Sequence, residues 1–343
     1  MVGRQLARSL SQRRRTALGV AAAAFFFSAQ GVAAQNVTPF FSFNQSPIIQ
    51  LHGLPAIDNA GILRAGQARY RLVHDLASDY TLHTTATENL LFDGETNRTT
   101  LVYARGIGTG WEWGLQIPYV RHDGGWLDGF IEDWHDTFGL PQGGRDTAPH
   151  NQFSFLYQRQ GVTQLALSEA VSGIGDVRLS AGWQWPGGDK AQRLAVRAAL
   201  SLPTGDSRQL RGSGGTDFAL WLVADRAYRW WDWPATVFGG GGVLLLGDGE
   251  VLADQQRPAA LFGSIGAGAR VLPWVSLKLQ ADFHGPLYQR SELKEVNATA
   301  MQFLMGGDLQ LGKKVQLDLM VGEDIIVHAS PDVVFHIGLS LTD

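Results

Sequence analysis

Three sets of residues in this sequence have types and spacings from which chemistry is built. The first is Ser168-Glu169 with His336 and Ser340, the parts of a hydroxyl nucleophile and its general base, as a membrane lipid hydrolase uses. If His336 and Ser340 lie on one strand, their four-residue separation puts their Cα atoms about 13 Å apart at about 3.3 Å per residue. That is too far for a nucleophile–base hydrogen bond. No G-x-S-x-G elbow, H-E-x-x-H pair or Walker loop is present, so no catalytic residue is assigned. The second set is Asp128, Glu132, His135 and Asp136, whose oxygens would suit a hard divalent cation. They lack the ordered spacing of a known cation loop, and a solvated helix face explains them more simply. No metal or other cofactor is expected. The third set is charged: Arg69, Arg71, Arg105, Arg178, Arg193 and Arg197, with Glu323 and Asp324 near a strand end. Facing a lumen, these charges would form ion-pair ladders or a selectivity-setting wall.

Strands must position these groups. Trp111, Trp113, Leu115, Ile117 and Tyr119 alternate with Glu112, Gly114, Gln116 and Pro118. Successive strand side chains point to opposite faces, so one face is greasy and the other polar or small. The runs 177–185, 194–202 and 315–321 repeat the pattern. A soluble sandwich also alternates, with its greasy face turned inward. Arginines on the polar face, Trp and Tyr at strand ends, and segments of about 10 residues favour a barrel in lipid. Backbone groups in hydrocarbon must all be paired, so such a sheet must close. The fold class expected is an all-β transmembrane antiparallel up-and-down β-barrel of about 14 strands, within 12 to 16. Fifteen alternating segments can be marked, among them 67–77, 80–92, 97–106 and 163–170, of which the last alternates least. Such barrels have even strand numbers, so one of the fifteen is miscounted or one long strand is split. Glycines 239–242, 263, 266 and 268 fall inside strand patterns and mark curvature.

Residues 1–34 read as a secretory signal peptide. Arg4, Arg8, Arg13, Arg14 and Arg15 precede an apolar run, and Val32-Ala33-Ala34 fits a cleavage site before Gln35. Cleavage removes five of 28 basic residues, leaving 23 against 32 acids, nine charges negative. That balance gives no support for nucleic-acid binding. The absence of cysteine excludes disulfides, thiolate metal sites and cysteine nucleophiles.

Residues 35–64, with Pro39, Pro47 and Pro55, alternate poorly and read as an N-terminal extension or a plug; the barrel then occupies 65–343. Residues 122–150 form the longest insertion. Leu127, Phe130, Ile131, Trp134 and Phe138 make a helical stripe there, closed by Gly139 and Pro141. An amphipathic helix in a long loop is expected, with Asp128, Glu132, His135 and Asp136 off its apolar side.

The chain resembles a family of Gram-negative exported proteins known as a domain of unknown function (number three-one-eight-seven). The resemblance rests on Asn44-Gln45-Ser46-Pro47, Asp93-Gly94-Glu95, the helix-bearing run 124–141, Gly143-Gly144-Arg145, Gly173-Ile174-Gly175-Asp176, Pro203-Thr204-Gly205-Asp206, the run 212–217, Glu323-Asp324-Ile325 and Ser330-Pro331-Asp332. It implies an outer-membrane β-barrel without established activity and supplies no catalytic residues. Physically, Gly205-Asp206 reads as a hairpin turn and Gly212 to Gly215 as a flexible loop. The final strand, 336–343, alternates as outer-membrane insertion signals do, though Asp343 replaces the usual terminal aromatic. Expected partners are outer-membrane lipid, the barrel insertion machinery and a small-molecule solute. The function expected is a passive channel or transporter for small molecules. A lipid-modifying hydrolase and a structural or surface-interaction barrel are the alternatives.

Overall fold

The computed structural model describes residues 37–139, 149–187, 191–325 and 329–343. Residues 1–34, where the sequence suggests a signal peptide, and residues 140–148 lie outside these, as do the side chains of Trp134, His135 and Phe138.

The alternating segments become strands β1 (Ala68–Thr84), β2 (Glu88–Ile107), β3 (Trp111–Asp123), β4 (Ser154–Arg159), β5 (Val162–Leu167), β6 (Val171–Ile174), β7 (Val177–Gln184) and β8 (Gln192–Leu202). They continue through β9 (Asp217–Trp230), β10 (Trp233–Leu245), β11 (Ala259–Leu272), β12 (Val275–His284), β13 (Ala300–Gln310), β14 (Val315–Asp324) and β15 (Val333–Thr342). All pairings are antiparallel. Strands β7 to β15 run consecutively, β15 pairs with β1 from Arg69↔Thr342 to Ser78↔Val333, and β2 and β3 complete the circuit to β7. The result is a closed ring of 12 strands. Strands β4, β5 and β6 stand outside that circuit, as extensions on the ends of β2 and β3.

The count of 14 is therefore corrected to 12. Residues 68–107 make two long strands joined by a hairpin at 85–87, not three. The weakly alternating segment near 163–170 is β5, which pairs only with β4. At Gly94 strand β2 changes partner, from β4 below residue 94 to β3 above it. Gly94 has φ 152°, and a Cβ there would lie 2.7 Å from the Phe153 ring and 3.0 Å from the Asp123 carbonyl oxygen, so glycine alone fits.

The greasy face points outward. Trp113 is 40% exposed and Ile117 38%, with Leu72, Leu101, Leu220, Leu279, Ile337 and Leu339 in the same outward band. A dry sandwich would bury these side chains, so the alternation serves an apolar exterior. At one end of the ring the connections are short: 108–110, 231–232, 273–274 and 311–314. Trp111, Trp113, Trp230, Trp231, Trp233 and Trp274 are exposed at that end, with Trp111 against Trp183 and Trp230 stacked on Trp231. The other end carries the long connections 124–176, 203–216, 246–258 and 285–299. Among the described residues, the largest apolar core lies at this long-loop end.

Helix α1 (Asp128–Phe138) falls in the insertion, as its stripe suggests. Leu127 and Ile131 are buried against Leu76, Val333, Val321 and Phe335, all on the outward parity of β1, β15 and β14. Phe130 meets the Phe335 ring edge-on. The helix therefore lies on the outer wall of the barrel.

Candidate functional site

Residues 37–63 run inside the ring, and Val37, Phe40, Ile48, Ile49, Leu51, Leu54, Ile57, Ala60 and Leu63 are all buried. The segment starts at the short-turn end, where the Val37 amide donates to Thr236 Oγ1 at 3.1 Å. It rises past Gln280, whose Oε1 accepts the Phe40 amide at 2.9 Å. It turns at the long-loop end and descends to join β1, with the Leu63 amide on Glu112 Oε2 at 2.9 Å. Neither leg is helix or strand. An irregular backbone enclosed this way needs a partner for each polar group, since no ladder supplies one.

The apex is the stretch Asn44-Gln45-Ser46-Pro47. Asn44 Oδ1 accepts the Ser46 amide at 2.9 Å, a local side-chain turn. Asn44 Nδ2 reaches the Ala329 carbonyl at 2.7 Å, and Ser46 O receives the amides of Ile49 and Gln50. Pro47 has no amide hydrogen to leave unpaired. Ile48, Ile49 and Leu51 then enter the apolar core with Phe92, Phe155, Leu244, Leu287 and Leu293 from strands and long loops.

Wall charges serve the backbone of the segment. Asp217 Oδ2 accepts the Gly53 amide at 2.7 Å, and Asp225 Oδ2 accepts the Ala60 amide at 3.0 Å. Arg178, only 2% exposed, donates to the His52 and Leu54 carbonyls at 2.6 and 2.8 Å, with its guanidinium 4.7 Å from the Phe43 ring centre. Arg197 donates to the Asn59 carbonyl at 2.8 Å and to Glu112 Oε1 at 2.6 Å. Arg193 grips Asp225 through two 2.8 Å bonds. Arg71 grips Asp58 of the segment at 2.8 and 3.1 Å, and Arg69 lies 3.5 Å from the same carboxylate. Arg98 donates to Gln50 Oε1 at 2.7 Å.

Five of the six sequence-marked arginines thus face the lumen. Arg105 does not: it is exposed on the outward parity with Leu101, Tyr103 and Ile107, and its place on the polar face is corrected. Glu323 also takes the outward parity, with Leu319 and Val321, while Asp324 takes the inward parity at the long-loop end. Glu112, Asp217, Asp225, Asp58 and Asp75 also belong to this network, beyond the residues expected from the sequence. Their signal was an acid on the polar parity of a strand, or within a segment otherwise too apolar to stand in water.

No nucleophile–base pair forms from the marked residues. His336 Nδ1 and Ser42 Oγ both bond Asp75 Oδ1, at 2.7 and 2.8 Å. The carboxylate stands between hydroxyl and imidazole, the wrong order for the imidazole to take the hydroxyl proton. On α1, Asp128 Oδ2 accepts the Asn151 amide at 2.6 Å and Glu132 lies 2.9 Å from His150 Nε2. Asp136 is exposed, and the His135 side chain lies outside the described residues. Among the described residues no cluster of metal-ligating side chains occurs.

The expected hairpin at Gly205-Asp206 is instead part of an ordered loop, 203–216, with a short 3₁₀ turn Ser207–Gln209 capped by Asp206. Asp176 holds this loop through the Gly205 amide at 2.8 Å and the Ser213 amide at 3.0 Å. Burial pushes the Asp176 carboxyl above its ordinary pKa.

These residues lie in a recognised family. The chain belongs to the family described as "Protein of unknown function (DUF3187)", which matches residues 17–342. No curated protein matches it in sequence. Among solved structures it is similar to an outer membrane channel from Pseudomonas putida F1, with 13% identity, 82% of this chain and 97% of that chain covered, and a TM-score of 0.51. The NanC porin aligns at 7% identity over 80% of this chain and 98% of its own, with a TM-score of 0.43. The first likeness establishes the shared outer-membrane-type barrel fold.

Proposed function

We propose that this chain is an outer-membrane channel for small molecules, closed at rest by its own segment 37–63. In this reading residues 1–34 are removed on export, and Val37, near the start of the mature chain, sits at the short-turn mouth. Short turns face the periplasm and long loops face outward, the usual arrangement of such barrels. The apolar outward band and the aromatic belt support the membrane location.

One observation carries the proposal. Glu112, Asp217, Asp225, Arg178 and Arg197 on the wall bind backbone amides and carbonyls of residues 52–63 rather than facing open water. Hydrogen bonds to charged groups contribute roughly 1.5–3 kcal/mol each, enough in number to hold a gate and individually weak enough to release. The test is single-channel conductance in planar bilayers for the full chain and for a chain lacking residues 37–63. The expected result is a small or intermittent current from the full chain and a large steady current from the deletion. Silence from both, with the barrel folded, overturns the channel and favours the structural barrel.

A further inference from the structure

We infer that the cleft between the luminal segment and strands β14, β15 and β1 is a binding site for a small organic anion bearing carboxylate or phosphate oxygens. It is a cavity of about 170 Å³ at the short-turn end. Gly338 and Ser340 leave room on the β15 side, and Thr38 and Phe41 of the luminal segment form the opposite wall.

The charge at this cleft is one-sided. Arg69, Arg71, Lys313 and Lys314 border it, against a single bordering carboxylate, Asp318. Asp318 is already ion-paired to the buried Lys278. Asp58, beside the cleft, is shared by Arg71 and Arg69, and the next carboxylate felt by both, Glu112, is already held by Arg197. Asp343 directs its side chain to the Ala68 amide at 2.6 Å. Lys313 and Lys314 stand in the exposed β13–β14 turn at the mouth, while Arg71 is buried deeper in. Positive charge therefore leads from the mouth inward, within low-dielectric walls that strengthen its pull on an anion.

A second observation is independent of charge. His336 borders the cleft and is 2% exposed, yet its Nε2 has no hydrogen-bond partner. Its Nδ1 is engaged by Asp75, which in the neutral ring leaves Nε2 an acceptor, suited to a hydroxyl or protonated oxygen of the ligand, while the guanidinium and ammonium groups take its charged oxygens. Buried polar atoms are normally paired, so an unpaired one beside a cleft points to a group that comes and goes.

As a statement about the solute carried, this rests on the channel reading; as a statement about binding, it does not. The test is calorimetric titration of the full-length folded protein in detergent with succinate, inorganic phosphate and the neutral analogue succinamide. Saturable binding of at least one anion, with none of the amide, is expected. Which anion binds separates carboxylate from phosphate recognition. Lys313→Gln with Lys314→Gln, in an exposed turn that leaves the ring intact, should weaken binding about threefold to tenfold, and Arg69→Gln should weaken it further. Raising the salt concentration should weaken it in the wild type. No saturable binding of either anion, equal binding of succinamide, or full affinity in the lysine double variant overturns the assignment. A protein that binds succinate but never conducts would refute the channel and leave this site standing.

Discussion

Asp217 and Gly53 lie 164 positions apart in sequence, yet the carboxylate Oδ2 of the first accepts the amide of the second across 2.7 Å. The other oxygen, Oδ1, accepts the Gly247 amide at 3.0 Å. One side chain at the start of β9 thus ties the top of the luminal segment to the connection that follows β10. His52 Nδ1 lies 3.4 Å from the same Oδ2. Asp217→Ala should leave the buried Gly53 amide unpaired, at a cost of about 1–3 kcal/mol, and release the half-buried Gly247 amide at a smaller one. In the urea unfolding of vesicle-inserted protein the midpoint should fall. In bilayers the full chain should open more often.

Gly53 also marks a close approach of segment and wall. A Cβ at that position would lie 2.7 Å from Asp217 Cβ and 3.2 Å from Ser201 Cβ. Gly53→Ala should therefore cost about 1–3 kcal/mol by overpacking. Adding Ser201→Gly removes only the 3.2 Å contact and leaves the nearer one with Asp217 Cβ, so it should restore the midpoint no more than in part; full restoration would place the whole clash on Ser201.

Arg197 and Glu112 form a buried pair that also serves Asn59 and Leu63. Arg197→Ala leaves an uncompensated carboxylate and should destabilise by about 3–5 kcal/mol. Adding Glu112→Gln should recover part of that loss, since the amide oxygen can still accept from Leu63. A double-mutant cycle measures the coupling, and additive losses would count against it.

The strand alternation in the sequence shows both how far such patterning reaches and where it stops. Trp111, Trp113 and Ile117 define an outward face because a period of two is local and survives into the ring. The same period cannot say that β3 pairs with β7 over its lower part and with β6 only at its long-loop end, because pairing order is not written in alternation. It also overcounts, since 68–107 alternates far beyond one membrane crossing. Arg69 and Arg105 look alike in sequence, and only register separates the luminal one from the outward one. The luminal segment has no period at all. Its burial could have been suspected from Phe40, Ile48, Ile49, Leu51, Leu54 and Ile57, too many apolar side chains for a solvated extension. Its partners Asp217 and Asp225 lie on a strand more than 150 residues away.

An outward charge should behave unlike a luminal one. Ile337 is exposed in the middle of β15 on the apolar band. Ile337→Arg should reduce folding stability in lipid vesicles by about 2–4 kcal/mol, with little effect for the same change at Trp231 in the short turn. Equal effects at the two positions would argue against an apolar belt of membrane height.

Helix α1 docks through Leu127 and Ile131. Leu127→Ala with Ile131→Ala should release it, with faster amide exchange across 128–138 and no change in the exchange of β1 and β15. Loss of protection throughout the ring would mean that the helix braces the closure rather than resting on it.

The ring holds two passes of chain, one rising and one falling, and the cleft described beside them runs along β14, β15 and β1. If the ring conducts as proposed, a traveller would enter along one flank of the bore at the short-turn end instead of its centre line. It would be inspected by three strands and by the segment itself, so its selectivity would be lopsided by construction: changes on β8 or β9 would alter whether the way is open, and changes on β14, β15 or β1 would alter what goes through.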